Sequence, residues 1–281
     1  MAGHSIKQQL RWARDSLSAI SSSAQLDAEV LLAHCLGKDR SYLLTWPERP
    51  LSETELDCFH GLVRRRLQPQ PVAYLLGQRE FYSLELNTTP ATLVPRPETE
   101  LLVDCVLQKI EGLASPQVLE LGTGTGAIAV AIKQHAPQCR VVATDMHTEA
   151  LVVAQSNAQK HHVQIEFVES DWFQHLPQQC FDIIVSNPPY IAADDPYLRQ
   201  GDLPAEPQSA LCSGESGLEA LRTIISGASH YLKAGGWIIL EHGYAQAEAV
   251  AQLLSNAGFE QIALFRDFND LPRMSIARKV E

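Results

Sequence analysis

Apolar positions in the first 76 residues recur at helical spacing. Leu10, Ala13, Leu17 and Ile20 make one stripe, and Leu26, Val30, Leu31 and Leu32 begin another. Asp27 and Ser52 stand near helix starts. The latter opens Ser52-Glu53-Thr54-Glu55, where a hydroxyl and a carboxylate three residues apart can each satisfy a free backbone N–H. The pattern predicts a small bundle of about four or five helices. From residue 77 the period changes: "REFYSLELN" alternates and runs into prolines, which predicts a β-hairpin linker over 77–96.

Beyond residue 97, short apolar runs alternate with helical stretches. "QVLELG" (117–122), "RVVATD" (140–145), "IEFVES" (165–170), "FDIIVS" (181–186) and "GGWIILEHG" (235–243) read as buried strands. Helices are expected between these five, most clearly over 128–135, 148–160 and 218–232. "QIALFRD" and "MSIARK" follow with no helix between them. The pattern predicts an α/β fold: a doubly wound, mainly parallel sheet with helices on both faces and an antiparallel hairpin at its C-terminal edge.

Composition adds three constraints. A chain of 281 residues, 45% hydrophobic, can bury a large core in one large domain or two unequal ones. Its net charge of −11 is unevenly spread: residues 1–90 hold ten basic and ten acidic side chains, leaving twelve against 23 for the rest. An acidic C-terminal two-thirds repels a phosphate backbone, so nucleic acid is disfavoured as a partner there. The six cysteines, Cys35, Cys58, Cys105, Cys139, Cys180 and Cys212, have no zinc spacing, and buried free thiols with no metal are expected. With no apolar signal core at the N-terminus and no run approaching a membrane span, a soluble cytoplasmic protein is expected. The single basic run, Arg64-Arg65-Arg66, reads as a solvated helix face, and His161-His162 as a helix end.

Candidate chemistry lies at two strand ends. "LELGTGTGAIAVA" places Gly122, Gly124 and Gly126 between the first strand and a helix, where glycines allow close backbone approach and helix N–H groups stay free. The second strand ends in Asp145, whose carboxylate can accept both hydroxyls of a ribose. This loop fits two ligands. As G-x-G-x-x-A with a following acid it suits a nicotinamide dinucleotide; as E-x-G-x-G-x-G, beginning at Glu120, it resembles the first motif of S-adenosylmethionine-dependent methyltransferases.

The fourth strand ends in Asn187-Pro188-Pro189-Tyr190. Alone, this is a strand stop, because proline cannot continue a ladder and Asn favours turns. In a doubly wound order, however, strand four neighbours strand one, which brings Asn187 beside the glycine loop. The Asn187 side-chain oxygen and the Pro188 carbonyl are then two fixed acceptors for a substrate –NH2 group, and Tyr190 can stack on a planar group. An amide nitrogen is a weak nucleophile, so holding both its hydrogens while a methyl sulfonium approaches in line would supply much of the rate.

The Asn-Pro-Pro-Tyr sequence resembles the signature of methyltransferases acting on planar –NH2 groups. "VPRPETE" (94–100), "ELGTGTGAIA", "SDWF" (170–173), "SNPPYI" and "LEHG" (240–243) together resemble the peptide chain release factor N5-glutamine methyltransferases (HemK/PrmC-like), over nearly the whole chain. The resemblance implies a Rossmann-like class I methyltransferase domain over 97–281, preceded by a helical substrate-recognition domain over 1–76. It implies S-adenosylmethionine as donor, leaving as S-adenosylhomocysteine, and the glutamine of the Gly-Gly-Gln loop of class I release factors as acceptor. By position, Glu120, Gly122, Thr123, Gly124, Thr125 and Gly126 would hold the donor's methionine part and Asp145 its ribose. Asp171 and Trp172 would flank the adenine, with Asn187 at the methyl. Asn187, Pro188, Pro189 and Tyr190 would bind the target amide, and Asn187, Pro188 and Tyr190 would carry catalysis. "RPETE" also reads as a helix start, with Pro97 first and Glu98 and Glu100 in the favourable first turn, and is left out of the site. One departure stands out: Leu203-Pro204-Ala205 precede Glu206-Pro207, where the family usually has an arginine or aromatic residue.

Three rivals remain. Ribosomal-protein glutamine methyltransferases share the Asn-Pro-Pro-Tyr loop but read "PR-S-P" where this chain has Pro95-Arg96-Pro97-Glu98. A DNA adenine N6-methyltransferase should carry a basic target-recognition insert, and no such segment follows residue 190. A nucleotide-binding module or oxidoreductase leaves Asn-Pro-Pro-Tyr without a role. The expected enzyme is therefore a protein-glutamine N5-methyltransferase acting as a monomer.

Overall fold

The computed structural model describes residues 4–176 and 179–280. It divides into two compact units: Met1–Gln78 with Arg199–Ala205, and Arg79–Leu198 with Glu206–Glu281.

The first unit is helical, with α1 (Ile6–Leu17), α2 (Ala24–Leu36), α3 (Arg40–Thr45), α4 (Glu53–Arg66) and α5 (Val72–Leu76). The Ser52 hydroxyl accepts from Glu55 N at 3.3 Å while the Glu55 carboxylate accepts from Ser52 N at 2.8 Å, so the expected capping box starts α4. Leu10, Ala13 and Leu17 face the core with Leu31, Leu32, Phe59 and Val63. Ile20 lies beyond α1 and Leu26 on the outer face of α2, and both are exposed, so the two predicted stripes are shorter than their spacing suggested. Asp27 lies in the first turn of α2, near the helix start as expected, and is buried against Arg66 (2.9 Å). Arg66 also bonds Asp202 at 2.9 and 3.2 Å, so only Arg64 and Arg65 of the basic run are solvated. Packing of α2 on α4 brings the Cα atoms of Cys35 and Cys58 to 6.0 Å in a disulfide. That corrects the expectation of free buried thiols, as does exposed Cys180; Cys105 and Cys139 are buried and free.

A hairpin follows, β1 (Gln78–Phe81) and β2 (Leu84–Asn87), turned by Tyr82 and Ser83 at φ of 52° and 60°. The chain continues through α6 (Glu100–Lys109), β3 (Gln117–Leu121), α7 (Ala127–His135), β4 (Arg140–Asp145), α8 (Thr148–Lys160), β5 (Glu166–Glu169) and β6 (Phe181–Ser186). After a loop with short α9 (Gln208–Leu211) come α10 (Glu219–Tyr231), β7 (Leu232–Glu241), α11 (Ala247–Asn256), β8 (Phe259–Arg266) and β9 (Pro272–Lys279). The seven-stranded sheet runs β5-β4-β3-β6-β7-β9-β8, with β5 to β7 parallel and β9 antiparallel to both neighbours. Among the described residues, no helix joins β5 to β6, contrary to the expected alternation: Ser170–Leu176 is occupied by a turn that instead borders the site.

Alternate residues of each strand point to opposite faces. Val118, Ile183, Val185 and Ile239 pack on α6 and α7, while Leu119, Leu121, Ile184 and Ile238 pack on α10 and α11. Both faces are covered, which accounts for strands that read as continuous apolar runs. The strand order reverses between β3 and β6, and a cleft opens there beyond their carboxyl ends.

Candidate active site

The loop after β3 bends back over the sheet edge because its glycines take left-handed φ. Gly126 (φ 79°) caps α7 so closely against α8 that a Cβ would lie 3.0 Å from that of Ala154. Thr123 N donates to Thr144 O at 2.8 Å. Gly124 N donates to Asp145 Oδ2 at 2.9 Å, and His147 N donates to Oδ1 at 3.0 Å. Each Asp145 oxygen thus keeps a lone pair free at the cleft. Below the loop, Glu120 is buried; its Oε2 accepts from Thr123 Oγ1 at 2.7 Å and Ala129 N at 3.0 Å. Burial pushes its pKa up to about 8, so it holds the loop and the start of α7 as a largely protonated carboxyl at neutral pH.

The glycine loop and the Asn-Pro-Pro-Tyr turn meet as expected. Parallel pairing sets Leu121 beside Ser186, so Gly122 and Asn187 leave the sheet next to each other. A cleft forms there. Its walls include Glu120, Gly122, Thr123, Gly124, Thr125, Asp145, Asp171, Trp172, Asn187 and Pro189. The Trp172 ring lies against Gly122, its Cζ3 3.8 Å from where a Cβ would stand. Gly126, Pro188 and Tyr190 are not in the wall. Pro188 is buried, and Tyr190 packs on the core, its hydroxyl 3.4 Å from Glu241 Oε1. The Tyr190 carbonyl is held by Gln246 Nε2 at 2.9 Å, which fixes the turn from below.

Two side chains bonded to Asn187, directly or through one intermediary, are not singled out by the sequence reading. Thr99, in the short 3-10 turn before α6, accepts from Asn187 Nδ2 at 3.1 Å and donates to Glu241 Oε2 at 2.7 Å. Glu241 ends β7, the strand beside β6, and is fully buried, with its pKa pushed up to about 7 by desolvation. Thr99 lies in the "RPETE" stretch that reads as a helix start, and that reading also holds, since Pro97–Thr99 leads into α6. The available signal for Glu241 was a carboxylate closing an otherwise apolar strand. Arg96 also lines the cavity and pairs with buried Glu206, which accepts from Val94 N at 3.0 Å. Glu206 therefore anchors the loop immediately after the unusual Leu203-Pro204-Ala205.

With Nδ2 committed to Thr99, Asn187 Oδ1 has no protein partner among the described residues. An unpaired acceptor, a rigid proline turn and a glycine loop share one cleft. The arrangement suits an –NH2 group beside a nucleoside-bearing ligand.

Comparison with known proteins agrees with this geometry. The PrmC N-terminal domain family matches residues 8–77, and the methyltransferase small domain family matches 97–199. The release factor glutamine methyltransferase of Xylella fastidiosa (strain 9a5c) is 46% identical over 255 residues, 90% of this chain and 93% of the relative. That of Escherichia coli (strain K12) is 41% identical over 270 residues, 95% and 97% of the two chains. Among solved structures, the hMettl16 catalytic domain bound to the MAT2A 3'UTR hairpin 6 shares the fold (TM-score 0.59, 16% identity, 75% of this chain and 81% of that one). So does the T. thermophilus 16S rRNA N2 G1207 methyltransferase solved with AdoMet and guanosine (TM-score 0.54, 19% identity, 72% and 49%). Fold, cleft and relatives converge: the chain belongs to the release factor glutamine methyltransferase family.

Proposed function

We propose that this enzyme uses S-adenosylmethionine to methylate the side-chain nitrogen of the glutamine in the Gly-Gly-Gln loop of class I peptide chain release factors. The observation that carries this reading is the Asn187 amide, fixed at the end of β6 with its oxygen unpaired beside the glycine loop.

The cleft fits the donor by its chemistry. Asp145 keeps two lone pairs for a vicinal diol, Trp172 and Met146 offer apolar surface to a base, and the Gly122–Gly126 backbone admits a close ligand. Bound there, S-adenosylmethionine supplies an electrophilic methyl group. Asn187 Oδ1 accepts an N–H bond of the substrate amide, which orients that group and directs its nitrogen lone pair. The rate gain comes from such positioning, and the proton that the nitrogen sheds on gaining the methyl passes to water. Pro188 stiffens the turn because its ring fixes φ. The helical segment 1–76 is read as the release-factor-recognition domain, a reading supported by the PrmC N-terminal domain match.

Asn187→Ala tests the assignment. Turnover should be lost while donor affinity, measured by calorimetry, stays near wild type. Full activity in Asn187→Ala would refute the clamp.

A further inference from the structure

We infer that Thr99 and Glu241 are positioning residues that decide which end of the Asn187 amide faces the substrate. The inference rests on the reading of Asn187 as the amide clamp.

An asparagine side chain is nearly symmetric in shape but opposite in chemistry at its two ends: the oxygen accepts and the nitrogen donates. A substrate –NH2 group needs the oxygen. Turned the other way, Asn187 would set donor against donor and reject the amide. Shape alone cannot choose, so a hydrogen-bond partner must.

Thr99 makes that choice through a chain of three groups. The Glu241 carboxylate can only accept when ionised, and its Oε2 lies 2.7 Å from Thr99 Oγ1. The single hydroxyl hydrogen of Thr99 is thereby committed to Glu241. What Thr99 can still offer Asn187 is a lone pair, which takes Nδ2 at 3.1 Å. Oδ1 is left for the cleft. All three partners are at least partly shielded, with Thr99 5% and Glu241 1% exposed, so water competes poorly for these bonds.

The surroundings of Glu241 match this role. Arg273 on β9 favours its ionised form, and Glu98 in the 3-10 turn before α6 opposes it. Tyr190 donates to the other oxygen at 3.4 Å. Its neighbour His242 is turned away onto Ser275 Oγ at 2.8 Å. Protonation of Glu241 would let it donate to Thr99 and free the Thr99 hydrogen for Asn187 Oδ1, reversing the amide.

Kinetics of Thr99→Val, Thr99→Ser, Glu241→Gln and Asn187→Ala on a purified class I release factor, with donor affinity measured in parallel, test the relay. Thr99→Val keeps the shape without the hydroxyl and should lower kcat/KM by roughly tenfold to a hundredfold, the loss of about one to two hydrogen bonds' discrimination. Thr99→Ser should stay within about threefold of wild type on the same scale, and donor affinity should not change in either. Wild-type kcat/KM should fall on the acid side of neutrality, and Glu241→Gln should flatten that limb. Wild-type turnover in Thr99→Val with an inactive Asn187→Ala would overturn the relay and leave the clamp standing. Full activity in Asn187→Ala would remove the clamp itself. Equal losses in Thr99→Ser and Thr99→Val, or a parallel loss of donor affinity, would assign Thr99 to packing and also overturn it.

Discussion

Ser186 donates its hydroxyl to the Leu121 carbonyl at 2.7 Å, joining the last residues of β6 and β3 one position before Asn187 and Gly122. Both residues are fully buried. The Asn-Pro-Pro-Tyr turn and the glycine loop are thus held together by a bond outside the ordinary strand ladder. Under the proposed function, this contact secures the mutual placement of amide clamp and donor loop.

Ser186→Ala removes that bond and little volume. Stability should drop by about 1 kcal/mol, read as a lower urea midpoint with unchanged slope. An unchanged midpoint would mean that the ladder alone sets the spacing of β3 and β6.

Gly126→Ala should be much more damaging. The left-handed φ of 79° costs an alanine about 1–2 kcal/mol, and the new methyl meets Ala154 Cβ at 3.0 Å and its Cα at 3.2 Å. A fall of several degrees in Tm is expected, together with weaker donor binding as α7 shifts. Wild-type stability would show that α7 and α8 can separate freely.

Glu120 gives the fold a pH signature. A carboxyl whose pKa rises from 4.5 to about 8 on folding keeps a proton that the unfolded chain releases. Its contribution is fully present below about 4.5 and is lost as pH rises through about 8, so stability declines across that window. Glu120→Gln should flatten the decline; chemical unfolding at a series of pH values measures it. An identical slope in both proteins would mean that Glu120 is ionised in the folded chain.

Arg66 holds two carboxylates, Asp27 and Asp202, with a side chain only 4% exposed. Arg66→Met strands both and should cost the helical unit about 3–5 kcal/mol. Alanine at Arg64 or Arg65, both exposed, should stay within about 0.5 kcal/mol. Equal effects at all three positions would contradict the burial of Arg66.

How far the sequence could be read follows from the range of each interaction. The β3–β6 neighbourhood was legible because strand alternation implies a doubly wound order, which places Gly122 beside Asn187 without any side-chain detail. The edge hairpin of β8 and β9 was legible from two apolar runs with no helix between them. Thr99 was not, since its partners lie 88 and 142 residues away and its own segment serves equally as a helix start. Arg66 looked like part of a solvated run because its partners are 39 and 136 residues distant. The pairing of Cys35 with Cys58 likewise depends on how α2 meets α4, which periodicity does not encode. Tyr190 after two prolines suggests a ring over the substrate, whereas it sits against the core and reaches Glu241.

The most direct test is to incubate the protein with S-adenosylmethionine and a purified class I release factor, then map the added methyl by peptide mass spectrometry. A single methyl on the Gly-Gly-Gln glutamine, absent with Asn187→Ala, is the predicted result. A methyl on any other residue, or none with wild-type enzyme that binds the donor, would contradict it.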